Sequence, residues 1–287
     1  VFNTNAVSQI IHNNFLNNKA VNGGCIYSES GSHMTIYDNS FLNNHATEYG
    51  GVFKVYSYNF NIKSNKITNN RAVSGSVLYY ADILCNNCTI NSSILHRNII
   101  ANNIASSDGT IYLKSNAKLS SMHNYFINNK GVKGGIYYVY DNGELFILNE
   151  TGIYNKGDFG SIVYYRGNKL LVYNSNYLEN SAKYSGGIFY ISNISKNNDF
   201  RMNRFVKNTA MQAGVFFCDK NNNKCPCHNC IFINNEASSY GNEYASDITH
   251  LVRISDKFID YKSNSLYLTL GNTIEKPLNI KILDKYN

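Results

Sequence analysis

Tryptophan is missing from this 287-residue chain, proline occurs only twice, and charged residues make up just 16%. With so little charge, solubility must rest on amides, hydroxyls and backbone. No run of about 18 apolar residues is present, which argues against a membrane-spanning helix. The formal net charge of +7 is spread thinly, with no Lys/Arg-dense run and no recognition motif, which argues against nucleic acid as a partner. Apolar side chains do not recur at i, i+3 and i+4, so helical repeats are excluded, and the Leu/Asn signature of leucine-rich repeats is absent. No secretory leader opens the chain. Because Val1-Phe2-Asn3 begins in mid-repeat, the chain is expected to be a segment of a longer protein, and that lack excludes no compartment.

What is present is 24 tyrosines, heavy use of paired asparagine, and an internal repeat. The stretch from Phe15 through Asn17-Asn18 and Gly23-Gly24 to Tyr27 returns as Phe41, Asn43-Asn44, Gly50-Gly51 and Phe53. Taking the apolar residue before each Asn pair as anchor gives Phe15, Phe41, Ile67, Ile100, Phe126, Ile153, Tyr177, Phe205 and Phe232. Short alternating runs lie between tight turns, two or three per copy. Stacked rung on rung, they predict an all-β, right-handed parallel β-helix of about nine turns over residues 1–241. Residues 242–287 lose the pattern. Their alternating runs Leu266–Leu270 and Leu278–Leu283 read as a β tail that caps the coil or begins another β module.

Two columns of side chains are expected to point inward besides the anchors. One holds Ile26, Phe53, Val77, Ile111, Ile162, Phe189 and Phe216, and the other Ile10, Ile36, Ile62, Leu95, Leu148, Val172 and Phe200. The second Asn of each pair is expected at a bend, where stacked amides hydrogen-bond up and down the coil. A second Asn column lies two before the anchor, at Asn13, Asn39, Asn65, Asn98, Asn124 and Asn203.

These F-x-x-N and G-G-x-[ILV] repeats resemble those of polymorphic outer-membrane-type surface proteins, which share a pectin-lyase-like β-helix. Phe15-Leu16-Asn17-Asn18 with Gly23-Gly24-Cys25-Ile26 carries the likeness most cleanly, and it covers roughly residues 1–248. In its doubled Asn, abundant Tyr and Cys and few acids, the chain also resembles the scaffoldins of anaerobic fungal cellulosomes. That likeness implies a non-catalytic, secreted protein that collects enzymes bearing dockerin modules.

Seven cysteines are present. Cys218, Cys225, Cys227 and Cys230 fall within one turn and Cys85 and Cys88 within an insertion, so disulfides are favoured over zinc or free thiols, with Cys25 left over. Asn87, Asn91, Asn149 and Asn193 head N-glycosylation sequons. Acids are isolated, with Asp38, Asp82, Asp108, Asp141, Asp158 and Asp219 in no common column. A β-helix glycosidase or lyase needs paired carboxylates or clustered Asp, so no catalytic residue, metal or cofactor is assigned. Tyr27, Tyr112, Tyr138, Tyr190 and Phe217 are expected to point outward, with Tyr56, Tyr80, Tyr140 and Tyr165 two residues on. Such a surface is either a partner-binding face or cross-rung stacking that stabilises the sheet. Lys19, His45, Arg71 and Lys130 form a smaller basic column. The expectation is an extracellular or cell-surface module that docks dockerin-like proteins on its Tyr-bearing sheet. The alternatives are a carbohydrate-active enzyme and an adhesin.

Overall fold

The computed structural model describes residues 1–3, 6–29, 32–56, 59–81, 93–192, 197–218, 225 and 227–247, with the backbone of 250–254 and 279–283. Among them there is no helix, and the chain winds as a right-handed parallel β-helix. Each turn lays down up to four short strands, in the second turn His33–Tyr37, Ser40–Leu42, His45–Tyr49 and Phe53–Val55. Stacked on their equivalents, these build sheets I to IV in chain order. Sheets I and II are nine-stranded, sheet IV is ten-stranded, and sheet III is two four-stranded pieces. The last parallel strand is Tyr244–Ala245 in sheet IV. Beyond it His250–Ile254 pairs antiparallel with Asn279–Leu283, so part of the expected tail is strand, while Leu266–Leu270 lies outside the described residues.

The Asn doublet works because its two members do different jobs. The first, at Asn17, Asn43, Asn69, Asn102 and Asn128, sits at φ between 51° and 59° and turns the chain from sheet II to sheet III. Asparagine tolerates this left-handed conformation better than most residues. The second points inward. Asn103 Nδ2 donates to Asn129 Oδ1 at 3.0 Å and to the Ile67 carbonyl at 3.0 Å. Its Oδ1 accepts from Asn70 Nδ2 at 3.0 Å and from the Asn70 backbone N–H at 2.8 Å. Both donors and both lone pairs of the amide are thus satisfied. The same links run unbroken from Asn18 to Asn235, through Asn155, which counting from Ile153 as the sixth anchor had missed.

A second amide ladder lines the bend between sheets I and II, from Asn39 through Asn65 and Asn98 to Asn124. Between the ladders the interior is packed with apolar side chains, with Phe41, Phe126, Phe189, Phe205 and Phe216 fully buried.

Register corrects several expected columns. The inner column of sheet IV runs Ile26, Phe53, Leu78, Ile111, Tyr137, Val163, Phe189 and Phe216, with Leu78 and Val163 in the places assigned to Val77 and Ile162. The glycine at positive φ is the first of each doublet, at Gly23, Gly50, Gly75 and Gly160. Ser76 and Ser161 stand where other turns have the second, so aligning Gly75 and Gly160 on the second glycine slips the strand by one residue and reverses its faces. In the sixth turn Gly152, not Ile153, occupies the anchor slot between Phe126 and Tyr177, and Ile147, not Leu148, faces inward.

The division of labour within the doublet predicts unequal costs. Asn103→Ala takes the acceptor from the buried Asn70 backbone N–H and from one of its Nδ2 protons, and a donor from Asn129 Oδ1 and the Ile67 carbonyl, and is expected to cost about 3 kcal/mol. Asn102→Ala forces alanine into the left-handed region and costs about 1 kcal/mol. Urea unfolding of the two variants checks the order, and equal losses would show that the two residues are interchangeable.

Candidate functional site

The outer face of sheet IV carries one side chain per turn in register: Tyr27, Lys54, Tyr79, Tyr112, Tyr138, Tyr164, Tyr190 and Phe217. Parallel pairing places like on like at the rung spacing of ~4.8 Å. Ring centroids accordingly lie 5.2 Å apart for Tyr79–Tyr112, 4.7 Å for Tyr112–Tyr138 and 4.8 Å for Tyr164–Tyr190. Tyr56 and Tyr140 flank this stack, half-buried, with Tyr140 at 5.9 Å from Tyr138. From the sheet III side Tyr49 packs on Tyr79 at 4.8 Å and Phe159 on Tyr190 at 5.4 Å.

This packing settles much of the question between stacking and exposure. Tyr112 is 8% exposed, Tyr138 7% and Phe217 2%. Tyr27, Tyr56, Tyr140 and Tyr190 keep more of their surface open. Tyr80 and Tyr165 are not on this face at all: both are fully buried in the core, where the one-residue slip at Gly75 and Gly160 had hidden their true side. Tyr79 and Tyr164 stand in the outward slots instead. Burial pushes the phenols upward, Tyr79 to about 12 and Tyr112 and Tyr138 beyond the ordinary range, with neighbouring tyrosines and Asp108 adding to the shift.

Lys54 interrupts the aromatic column. Its Nζ lies 5.1 to 5.7 Å from the ring centroids of Tyr27, Tyr49, Tyr56 and Tyr79. Burial lowers its pKa, and Glu48 opposes that shift. Four ring faces offset part of the desolvation of the ammonium.

One buried acid escaped sequence reasoning. Glu150 takes the slot two before the anchor, where the inner ladder has Asn124 one turn earlier and Ser175 one turn later. The missing Asn in that column was the available signal. Its carboxyl accepts from Asn124 Nδ2 at 3.1 Å, from Tyr137 Oη at 2.9 Å and from Ser121 Oγ. Burial pushes its pKa up to about 7 despite those hydrogen bonds. Elsewhere Asp38 pairs with His12 at 2.9 Å, and Asp108 accepts from Ser74 Oγ at 2.5 Å.

The cysteine cluster forms Cys218–Cys225 and Cys227–Cys230 disulfides, while Cys25 is free and buried, its thiol pushed up to about 12. Cys85 and Cys88 lie outside the described residues, as do the sequon asparagines Asn87, Asn91 and Asn193. Asn149 is exposed at a left-handed bend. No helix among the described residues is long and apolar enough to cross a membrane.

Two outcomes follow from these environments. A folded-state pKa of about 7 at Glu150, above the usual carboxyl value, means the native state holds a proton that the unfolded chain releases. Its contribution is complete in acid and is lost as pH rises through about 7, a decline of about 3 kcal/mol. Melts between pH 4.5 and 8.5 should show that decline, and Glu150→Gln should remove most of it. For the cysteines, graded dithiothreitol should open the half-buried Cys227–Cys230 before the buried Cys218–Cys225, because attack needs access to sulfur. Mass mapping of alkylated thiols reads the order, and simultaneous opening would contradict it.

Comparison with family models, with curated proteins and with solved structures gives no match, so function must be argued from this chain's own geometry.

Proposed function

We propose that this chain is a non-catalytic docking segment of an extracellular or cell-surface repeat protein, and that its partners are small protein modules of the dockerin type. The observation that carries the reading is the aromatic column of sheet IV, which runs the length of the coil and leaves a half-exposed tyrosine rim at Tyr27, Tyr56, Tyr140, Tyr164 and Tyr190. Tyrosine suits such a rim because it buries a large ring and keeps a polar tip. A rigid coil also presents that rim already ordered, which lowers the entropy lost on binding. Disulfides at Cys218–Cys225 and Cys227–Cys230 suit an oxidising compartment. The acids give this reading a further support. Glu150 is sealed in the core, and Asp38 and Asp108 are tied to His12 and Ser74, so these three offer no pair flanking an open cleft.

The test separates rim from stack. Tyr138 is wedged between Tyr112 and Tyr164, so Tyr138→Ala should lower the melting temperature whatever binds. Tyr56→Ala and Tyr140→Ala remove rim residues. Each should cost more than about 1 kcal/mol in affinity for a dockerin-like module while changing the melt little. Binding by calorimetry that survives both substitutions would sink the assignment of this face. Release of reducing or unsaturated ends from pectin, xylan or chitin by the pure chain would replace the docking reading with an enzymatic one.

A further inference from the structure

The corner between sheets II and III carries a second pattern that the tyrosine face leaves unexplained. Lys19, His45 and Arg71 pair in register on three successive turns, and after Ile104 the same column continues with Lys130 and Lys156. All five basic side chains are exposed, and among the described residues none has a carboxylate within ion-pairing distance. Lys130 and Lys156 are like charges stacked directly across strands, an arrangement that destabilises a sheet. The pattern is confined to turns one to six, for the column then continues as Ser181, Thr209 and Glu236. Asp158 lies beside Lys130 and Lys156 in a depression along this corner.

Beside the cations, Asn43, Asn69 and Asn102 expose their amides into a shallow depression shared with Lys19, His45 and Arg71. Three residues before each basic position, across the bend, lies an outward column of Leu16, Leu42, Thr68, Ala101, Ile127 and Ile153. Leu16 is 54% exposed, and Leu42, Ile127 and Ile153 are half-buried. A basic stripe, an amide stripe and an aliphatic stripe therefore run side by side along the coil axis.

We propose that this corner docks an acidic amphipathic α-helix of a partner protein, laid along the axis with its carboxylates on the basic stripe and its apolar face on the aliphatic one. Spacing selects the helix. Its pitch of about 5.4 Å brings one residue per turn onto a given stripe, close to the rung spacing of ~4.8 Å. A β-strand repeats its same-face residue only every ~6.7 Å and falls out of step within two rungs. Five rung steps span about 24 Å, the length of a helix of about 16 residues. A helix about 10 Å across also covers two stripes only three residues apart. The aliphatic stripe favours such a peptide over an anionic polysaccharide, which would gain little from branched alkyl side chains. This surface is separate from the tyrosine rim and deepens the reading of the chain as a protein-docking module.

The probe is a labelled peptide of about 18 residues with Glu on one helical stripe and Leu on the next, titrated with the full chain by fluorescence anisotropy. It should bind, weaken as salt rises, and lose at least about tenfold in affinity to Arg71→Glu/Lys130→Glu, whose melt should match the parent. Tyr140→Ala should leave it unchanged. No binding, or binding indifferent to the charge reversal, overturns the proposal. So does equal binding of a scrambled peptide or of polygalacturonate, which would make the corner a general polyanion strip. Loss on Tyr140→Ala would instead move the peptide to the tyrosine rim, ending this proposal while leaving the docking function intact.

Discussion

The stacked amide is the interaction on which this molecule depends. A coil with a repeating turn must bury its bends, and each buried bend needs a donor and an acceptor pointing in both axial directions. Asparagine meets that need with a short side chain that offers two donors and two lone pairs, met by an identical neighbour above and below and by the backbone of adjacent turns. Eight consecutive links from Asn18 to Asn235 fix the vertical alignment of every turn. Hydrophobic burial supplies most of the driving force, but it is indifferent to small slips. The ladder penalises them, because a misplaced rung leaves amides unmet.

Strict register has a consequence for the surface. Any residue type that recurs in the repeat becomes a column at ~4.8 Å spacing, whether or not that suits it. Aromatic side chains gain from this, and the sheet IV tyrosines bury one another to the point where Tyr112 and Tyr138 are almost core. Lys54 is tolerated in that column because aromatic rings surround its ammonium. Cations at the corner of sheets II and III gain nothing comparable. The two columns thus differ in kind: mutual packing accounts for the buried rings of one, while among the described residues no carboxylate lies within ion-pairing distance of the other.

Much of this was legible in the sequence, for a definite reason. Large anchors, Asn doublets and the period itself mark the core and both ladders, since side chains that pack or hydrogen-bond on their own copies recur at that period. The errors arose where one residue replaced another of the same local role. Ser76 and Ser161 stand for a glycine, so the count from Gly75 and Gly160 slipped, and Tyr80 and Tyr165 were turned from core to surface. Gly152 stands for the anchor ring, so the count was taken from Ile153 and Asn155 was lost. Cysteine spacing placed four thiols in one turn, but the pairs Cys218–Cys225 and Cys227–Cys230 depend on side-chain directions that spacing does not carry. The tyrosine columns were visible too, though not the flanking Tyr49 and Phe159 that half close over them, because those lie on a different sheet.

The sixth turn shows how far the repeat can bend. Glu150 replaces a ladder asparagine, and two residues later Gly152 replaces the anchor ring. A Cβ on Gly152 would meet the Ile162 methyl at 2.9 Å and the Tyr177 ring at 3.0 Å, so the space a ring would fill is already taken. Tyr177 takes part of it from the next turn, and Tyr137, in the inner column of sheet IV, brings its hydroxyl to the carboxyl. The changes are coupled. An ordinary anchor ring would crowd Tyr177, and without the hydroxyls of Tyr137 and Ser121 the carboxyl would have too few donors for an apolar interior. Protonation eases the exchange: a neutral carboxyl has one O–H donor and keeps acceptor capacity, one donor fewer than an amide, and it stands among the amides without a buried charge. Burial raises the Glu150 pKa to about 7, so at acidic pH this rung is neutral and only above neutrality does it become a charge sealed inside the coil.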